Sequence, residues 1–187
     1  MSDFDRQKWN AKYAAEEAPR EPSAGLVSLD GLLLHRGRAL DVACGAGRHG
    51  IWLAQRGLDV TVADISAVAL QLAGQRAAER GVTITPLEID LEQQPFPAGP
   101  WDLIVSVCYL HRPVLAAYPA VLAPGGLLVV IQPTKRNLER HAKPPFDYQL
   151  DEGELPRLVQ GLETVRHQEG WSDDDRHDAV LVARRPA

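Results

Sequence analysis

Apolar positions along the chain change period several times, and each change marks a new element. Between Asp3 and Glu17 the residues Phe4, Trp9 and Tyr13 recur at spacings that suit one face of a helix. Pro19 and Pro22 break that pattern, Leu26 to Leu34 resumes it as a second amphipathic helix, and Gly37 ends it. From Arg38 the pattern turns to strand. Arg38 to Ala43, Leu58 to Ala63, Val82 to Ile89, Trp101 to Cys108 and Leu127 to Ile131 are short apolar runs rich in Val, Ile and Leu. Helical stretches fall between most of them: Gly47 to Arg56, a run from a capping Ser66 to Arg80, and Pro113 to Leu122. Gly57, Gly81 and the turn Pro124-Gly125-Gly126 supply the stops.

This alternation of strand and helix predicts a parallel, doubly wound α/β sheet. The last third departs from it. Lys135 to Phe146 is charged and proline-rich without a period, which predicts a loop over the sheet's carboxyl edge, and Asp151 to Val159 reads as a short helix. Leu162 to Glu169 and His177 to Arg184 then read as two strands around the acidic turn Ser172-Asp173-Asp174-Asp175, an antiparallel hairpin that finishes the sheet. The expected architecture is a mostly parallel, seven-stranded, Rossmann-like sheet with this C-terminal hairpin and an N-terminal helical cap. At 187 residues and 45% hydrophobic, the chain supports one well-buried core. A single domain over 1–187 is expected, with 1–36 forming a helical lid and 37–187 the core.

Charge and cysteine usage narrow the partners. A net charge of −5 offers no broad attraction for phosphate backbones, so a nucleic-acid partner is not expected. Cys44 and Cys108 both sit in apolar runs, and no spacing suits a disulfide framework or a metal, so no metal is expected. Met1 to Asn10 is polar and acidic, unlike a secretion leader, and no apolar run approaches a bilayer span. A cytoplasmic chain with no membrane partner, either monomer or homodimer, is the expectation.

The candidate chemistry gathers at Ala39 to Gly50, a buried strand running into a glycine turn that opens a helix. Gly45, Gly47 and Gly50 have the G-x-G-x-x-G spacing that lets backbone approach a ligand closely. Asp41 precedes the glycines, Asp64 ends the next strand and Asp90 ends the third. Singly, each is an ordinary strand-end carboxylate. Together they put three acids at the carboxyl ends of successive strands, where an open parallel sheet binds its ligands.

Asp41 to Gly47, Asp64, Asp90, the strand Trp101 to Val105 and the turn Pro124-Gly125-Gly126 resemble a class I S-adenosylmethionine-dependent methyltransferase. Within that superfamily Trp9-Asn10, Tyr13, the Gly45-Ala46-Gly47-Arg48 loop and the Phe146 to Leu155 segment resemble the small tellurite-resistance and thiopurine-type enzymes. The resemblance implies methyl transfer from S-adenosylmethionine to a small-molecule acceptor, by in-line displacement at the sulfonium. It also implies roles: Cys44, Gly45, Gly47 and Arg48 around the methionine part, and Asp41 toward its ammonium. Asp64 would take the ribose hydroxyls and Asp90 the adenine amino group, with Ile65 and Leu91 on the ring's faces. Ser106 and the residues after it would face the methyl, Trp9 and Tyr13 would close over the cofactor, and His111 would act on the acceptor's proton or steady an oxyanion. Arg48, Arg112, Lys135 and Arg136 would form a cationic rim suited to an anionic acceptor. Two other readings of the glycine turn stay open: an NAD(P)-dependent oxidoreductase, and a non-catalytic cofactor-binding module.

Overall fold

The computed structural model describes residues 3–15, 18–172 and 175–187. Two residues of the expected acidic turn, Asp173 and Asp174, and the Glu17 end of the expected first helix lie outside them. In chain order the elements are α1 (Asp3–Ala15), α2 (Ala24–Val27), β1 (Arg38–Val42), α3 (Arg48–Ala54), β2 (Asp59–Asp64), α4 (Ala67–Glu79), β3 (Thr85–Glu88), β4 (Trp101–Val107), α5 (Arg112–Val121), β5 (Leu122–Pro133), α6 (Leu155–Leu158), β6 (Glu163–Trp171) and β7 (His177–Arg184). Single 3-10 turns sit at Asp30–Leu32, Lys135–Glu139 and Phe146–Tyr148.

Seven strands form one sheet in the order β3-β2-β1-β4-β5-β7-β6. The first five run parallel, and β7 enters antiparallel between β5 and β6. The expected mostly parallel sheet with an antiparallel C-terminal hairpin is therefore present. Because successive strand residues face opposite sides, each central strand feeds two cores. Leu40, Val42, Ile104, Leu128 and Leu181 pack beneath α5 and α6, while Ala39, Val105, Val129 and Val182 pack with α2, α3 and Leu70 of α4.

Several boundaries differ from the pattern, each for a local reason. The predicted helix over Leu26 to Leu34 is broken: α2 ends at Val27, Ser28 turns back to donate its hydroxyl to Gly25 O at 2.8 Å, and a 3-10 turn follows. Leu26, Leu29 and Leu33 are nonetheless buried, so the apolar spacing marked a packed face without marking a continuous helix. In α1 the inward face is only partly the aromatic one, since Trp9 and Tyr13 are half-buried and Phe4 is not. Phe4 is 72% exposed, and the residues that dock the helix are Arg6, Asn10 and Tyr13, at positions i, i+4 and i+7. Gly125 and Gly126, expected as a turn, lie inside β5 at a register shift beside Trp101 and Leu103. Backbone oxygens of Ala123 and Trp101 leave no room for a Cβ on Gly126.

Candidate active site

The carboxyl ends of β1, β2 and β4 meet at the turn between β1 and α3, and most of the singled-out residues gather there. Asp41 alternates with Leu40 and Val42, so its side chain faces the α3 side of the sheet. There its Oδ2 accepts the Gly50 N–H at 2.8 Å, with 1% of the residue exposed. Burial, countered only in part by that bond, pushes its carboxyl up to about 7. Where the sequence pointed Asp41 at a ligand's ammonium, the structure has it bonded to the first turn of α3.

The three glycines serve different needs. A Cβ on Gly45 would collide with the Tyr13 hydroxyl, so that backbone is bare under the ring of α1. A Cβ on Gly47 would stand 2.7 Å from Cβ of Ala73, so Gly47 is where the turn touches α4. Gly50 lets α3 lie on β2, since a Cβ there would come within 2.5 Å of Val62. Both Gly45 and Gly47 also have positive φ, where a side chain is strained.

Asp64 is held from two directions. Its Oδ2 accepts the Gly45 N–H at 2.8 Å and its Oδ1 accepts the Ser66 N–H at 2.9 Å. The residue is 7% exposed, and burial raises its pKa against the pull of these donors. The Ile65 N–H also draws on this carboxylate, and its two oxygens together keep acceptor capacity to spare for a vicinal diol. Ile65 and Leu91, just beyond the ends of β2 and β3, are both buried, and Asp90 Oδ1 accepts the Glu92 N–H at 3.0 Å. Cys44 is buried, with its thiol donating to the Gly45 carbonyl.

The N-terminal segment is tied over this edge by polar contacts that the sequence did not single out. Ser66 caps α4 through the Ala69 N–H, and its own hydroxyl donates to Asn10 Oδ1 at 2.7 Å. Arg6 reaches Ile65 O and Glu88, and Arg76 holds the carbonyls of Ala18 and Pro19. His49 Nε2 accepts the Ser23 N–H at 3.3 Å, and burial pulls its imidazole down to about 3. The helical spacing of Arg6, Asn10 and Tyr13 was the available signal, hidden because two of the three are polar. Trp9 stacks on Tyr13 with ring centroids 6.1 Å apart, and burial beside Asp64 raises the Tyr13 phenol well above its usual range.

Other candidates fall elsewhere. Ser106 has no exposed surface and faces Tyr118 of α5 in the core below the edge, so it presents nothing to a ligand. Tyr109, three residues further on and just beyond β4, holds a buried hydroxyl without a partner among the described residues, within electrostatic reach of Asp64 and Asp90. His111 is the half-buried N-cap residue of α5, and its Nδ1 is likewise buried and unpaired. Three of the four expected rim cations are paired with carboxylates. Arg112 forms a two-point pair with Glu154, Lys135 binds Asp151, and Arg136 binds Glu139 and Glu152. Arg48 alone among the four has no carboxylate partner among the described residues; its guanidinium reaches the Glu21 carbonyl at 3.5 Å. A hollow of about 440 Å3 around Asp30 and Leu33 to Arg36 belongs to the amino end of β1, away from all of these groups. Among the described residues no helix is long and apolar enough to cross a membrane, and no cluster of three His, Cys, Asp or Glu could hold a metal.

A bare glycine backbone, a carboxylate with acceptor capacity to spare and a buried, unpaired tyrosine hydroxyl fit a nucleoside with an amino-acid tail. Comparison with known proteins points the same way. A family profile described as a methyltransferase domain matches residues 39–126. A demethylmenaquinone methyltransferase of Thermus thermophilus is 36% identical over 103 residues, covering 51% of this chain and 46% of that protein. The chain thus spans less than half of the relatives it matches by sequence. Two solved structures share the fold over nearly the whole chain. TehB from Haemophilus influenzae matches at 18% identity and a TM-score of 0.72, over 96% of this chain and 66% of that one. The [4+2]-cyclase SpnF matches at 18% identity and a TM-score of 0.77, over 100% and 97%. Strand order, glycine turn, acidic strand ends and matched segment all agree: residues 39–126 match a methyltransferase domain, and the chain has the fold of the class I S-adenosylmethionine-dependent methyltransferases.

Proposed function

We propose that the protein transfers a methyl group from S-adenosylmethionine to a small-molecule acceptor. The observation that carries this reading is the Asp64 carboxylate, pinned by the Gly45 and Ser66 N–H groups at the end of β2 with acceptor capacity to spare. A fixed carboxylate of this kind accepts two vicinal ribose hydroxyls with little loss of side-chain entropy. Asp90 would take the adenine amino group, between Ile65 and Leu91 on the ring's faces. Cys44, Gly45 and Arg48 would flank the methionine part, and Trp9 and Tyr13 would cover it from α1. Asp41 would act through the α3 backbone, holding the turn in shape.

The sulfonium supplies both the methyl and a good leaving group, so the protein's share is to align the acceptor and exclude water. α1 and the stretch from Ala18 to Ser23 would serve the second task. His111, at the tip beyond β4 with a buried, unpaired Nδ1, would take the acceptor's proton. The antiparallel β7 counts against the dinucleotide reading, since nicotinamide-binding doubly wound sheets continue in parallel.

Calorimetric titration with S-adenosylmethionine, S-adenosylhomocysteine and NAD tests the reading. Binding of both sulfur nucleosides and not NAD is expected; the reverse result overturns it. A second reading, the same cofactor fold used without methyl transfer, is favoured by one observation, the full-length likeness to a cyclase. An acceptor screen with labelled methyl groups separates the two.

A further inference from the structure

The carboxyl edge carries a second hollow that none of the cofactor roles uses. A cleft of about 290 Å3 lies on the α2 face of the sheet, between that helix and the edge strand β6. Its floor is Ile131 of β5 and Val180 of β7, which are paired neighbours in the sheet. Ala24, Gly25 and Ser28 make one wall, and the end of β6 around Gly170 and Ser172 makes the other. A Cβ on Gly170 would meet nothing within 4 Å, so the absence of a side chain there is what keeps the gap open.

Position ties this cleft to the reacting end of the site. Cys108, the first residue beyond β4, donates its N–H to Ile131 O at 2.9 Å, so the floor begins one strand away from the β4 tip. Arg176 and Asp178 line the cleft at the same end, joined by two bonds of 2.7 and 2.8 Å, and both lie within electrostatic reach of the Cys108 thiol. On the other side of that tip stands the turn of Gly45 and Arg48.

Chemistry follows from the lining. Arg176 and Asp178 offset each other's charge, and the lining holds no other cation. Glu169 turns its carboxylate to the Gly153 N–H and toward His167. Ser172 Oγ is buried with no hydrogen-bond partner among the described residues. The volume sits at the small end of the range for small-molecule sites, roughly 300 Å3 and upward. Building on the methyl-transfer reading, we propose that this cleft seats the acceptor, a compact uncharged molecule with an apolar body and one hydrogen-bonding group directed at Ser172.

Gly170→Leu fills the cleft from its own wall, and Ser28→Leu does so from the opposite wall should the first variant fold poorly. Backbone-amide NMR of the full chain reads the cleft without turnover, with benzamide as the neutral probe and benzoate as its anionic counterpart. Saturable benzamide shifts are expected at Gly25, Gly170 and Ser172, with affinity lowered about tenfold or more in the filled variants and for benzoate. S-adenosylhomocysteine affinity, measured by calorimetry, should be equal in wild type and variants. No benzamide shifts at these amides, an equal response in the filled variants, or a preference for benzoate overturns the proposal. Benzamide shifts without any sulfur-nucleoside binding would also overturn the acceptor role, and would trace that failure to the methyl-transfer reading and not to the cleft.

Discussion

Asp41 and His49 lie on either side of the contact between β1 and α3, and both are buried in the form that carries no charge. Burial lifts the Asp41 carboxyl from 3.8 to about 7 and lowers the His49 imidazole from 6.5 to about 3. Neutral His49 is also the form that accepts the Ser23 N–H through Nε2. Between pH 4 and 6.5 the native chain keeps a proton on Asp41 that the unfolded chain has released, so this residue makes stability fall as pH rises. Over the same range the unfolded chain takes up a proton on His49 that the native chain refuses, so this residue makes stability rise with pH. Each slope is roughly 1.4 kcal/mol per pH unit, and the signs are opposite. Integrated across their shifts, Asp41 costs about 4 kcal/mol by pH 7 and His49 about 5 kcal/mol by pH 3. The two contributions cancel in the wild type through this window. Asp41→Asn removes the falling slope, so its stability relative to wild type should climb by about 3 kcal/mol from pH 4.5 to 6.5. His49→Gln should drift by a similar amount the other way. Urea denaturation at fixed temperature measures both. A difference from wild type that stays constant with pH in either variant refutes the burial argument for that residue.

Asp64→Ala removes a charge-assisted acceptor, and S-adenosylhomocysteine binding should weaken by about 1.5 to 3 kcal/mol in calorimetry; unchanged affinity would take Asp64 out of the ribose role. Gly50→Ala places a methyl 2.5 Å from Val62 and should cost about 1 to 3 kcal/mol of stability, despite the better helix propensity of alanine. A melting temperature at or above that of wild type would show that α3 lifts off β2 freely. His111→Ala should lower turnover in an acceptor assay and leave S-adenosylhomocysteine affinity alone, and full activity would return His111 to a purely local capping position.

What could be read in the linear chain was whatever depends on neighbours in sequence. Strand period, glycine stops and the Ser66 cap are local, and they led to the sheet, its antiparallel ending and the acidic strand ends at Asp41, Asp64 and Asp90. These signals survive folding because backbone hydrogen bonding and side-chain alternation act over a few residues. The same locality explains the misplaced helix over Leu26 to Leu34, where apolar spacing marked burial correctly and Ser28 ended the helix for a reason that spacing does not encode.

Tertiary structure decided which partner each side chain meets. Asp41 and Asp64 look alike in sequence, yet one is bonded under α3 and the other presents a carboxylate beside the glycine turn. Gly45 and Gly47 belong to one motif, but the first lies under Tyr13 and the second against Ala73. Arg112, Lys135 and Arg136 became a set of ion pairs with acids 3 to 42 positions away, and only Arg48 kept clear of them. Apart from the local Arg136–Glu139 pair, these contacts join chain segments distant in sequence, whose meeting depends on how the whole sheet twists and packs, so no short stretch carries a record of them.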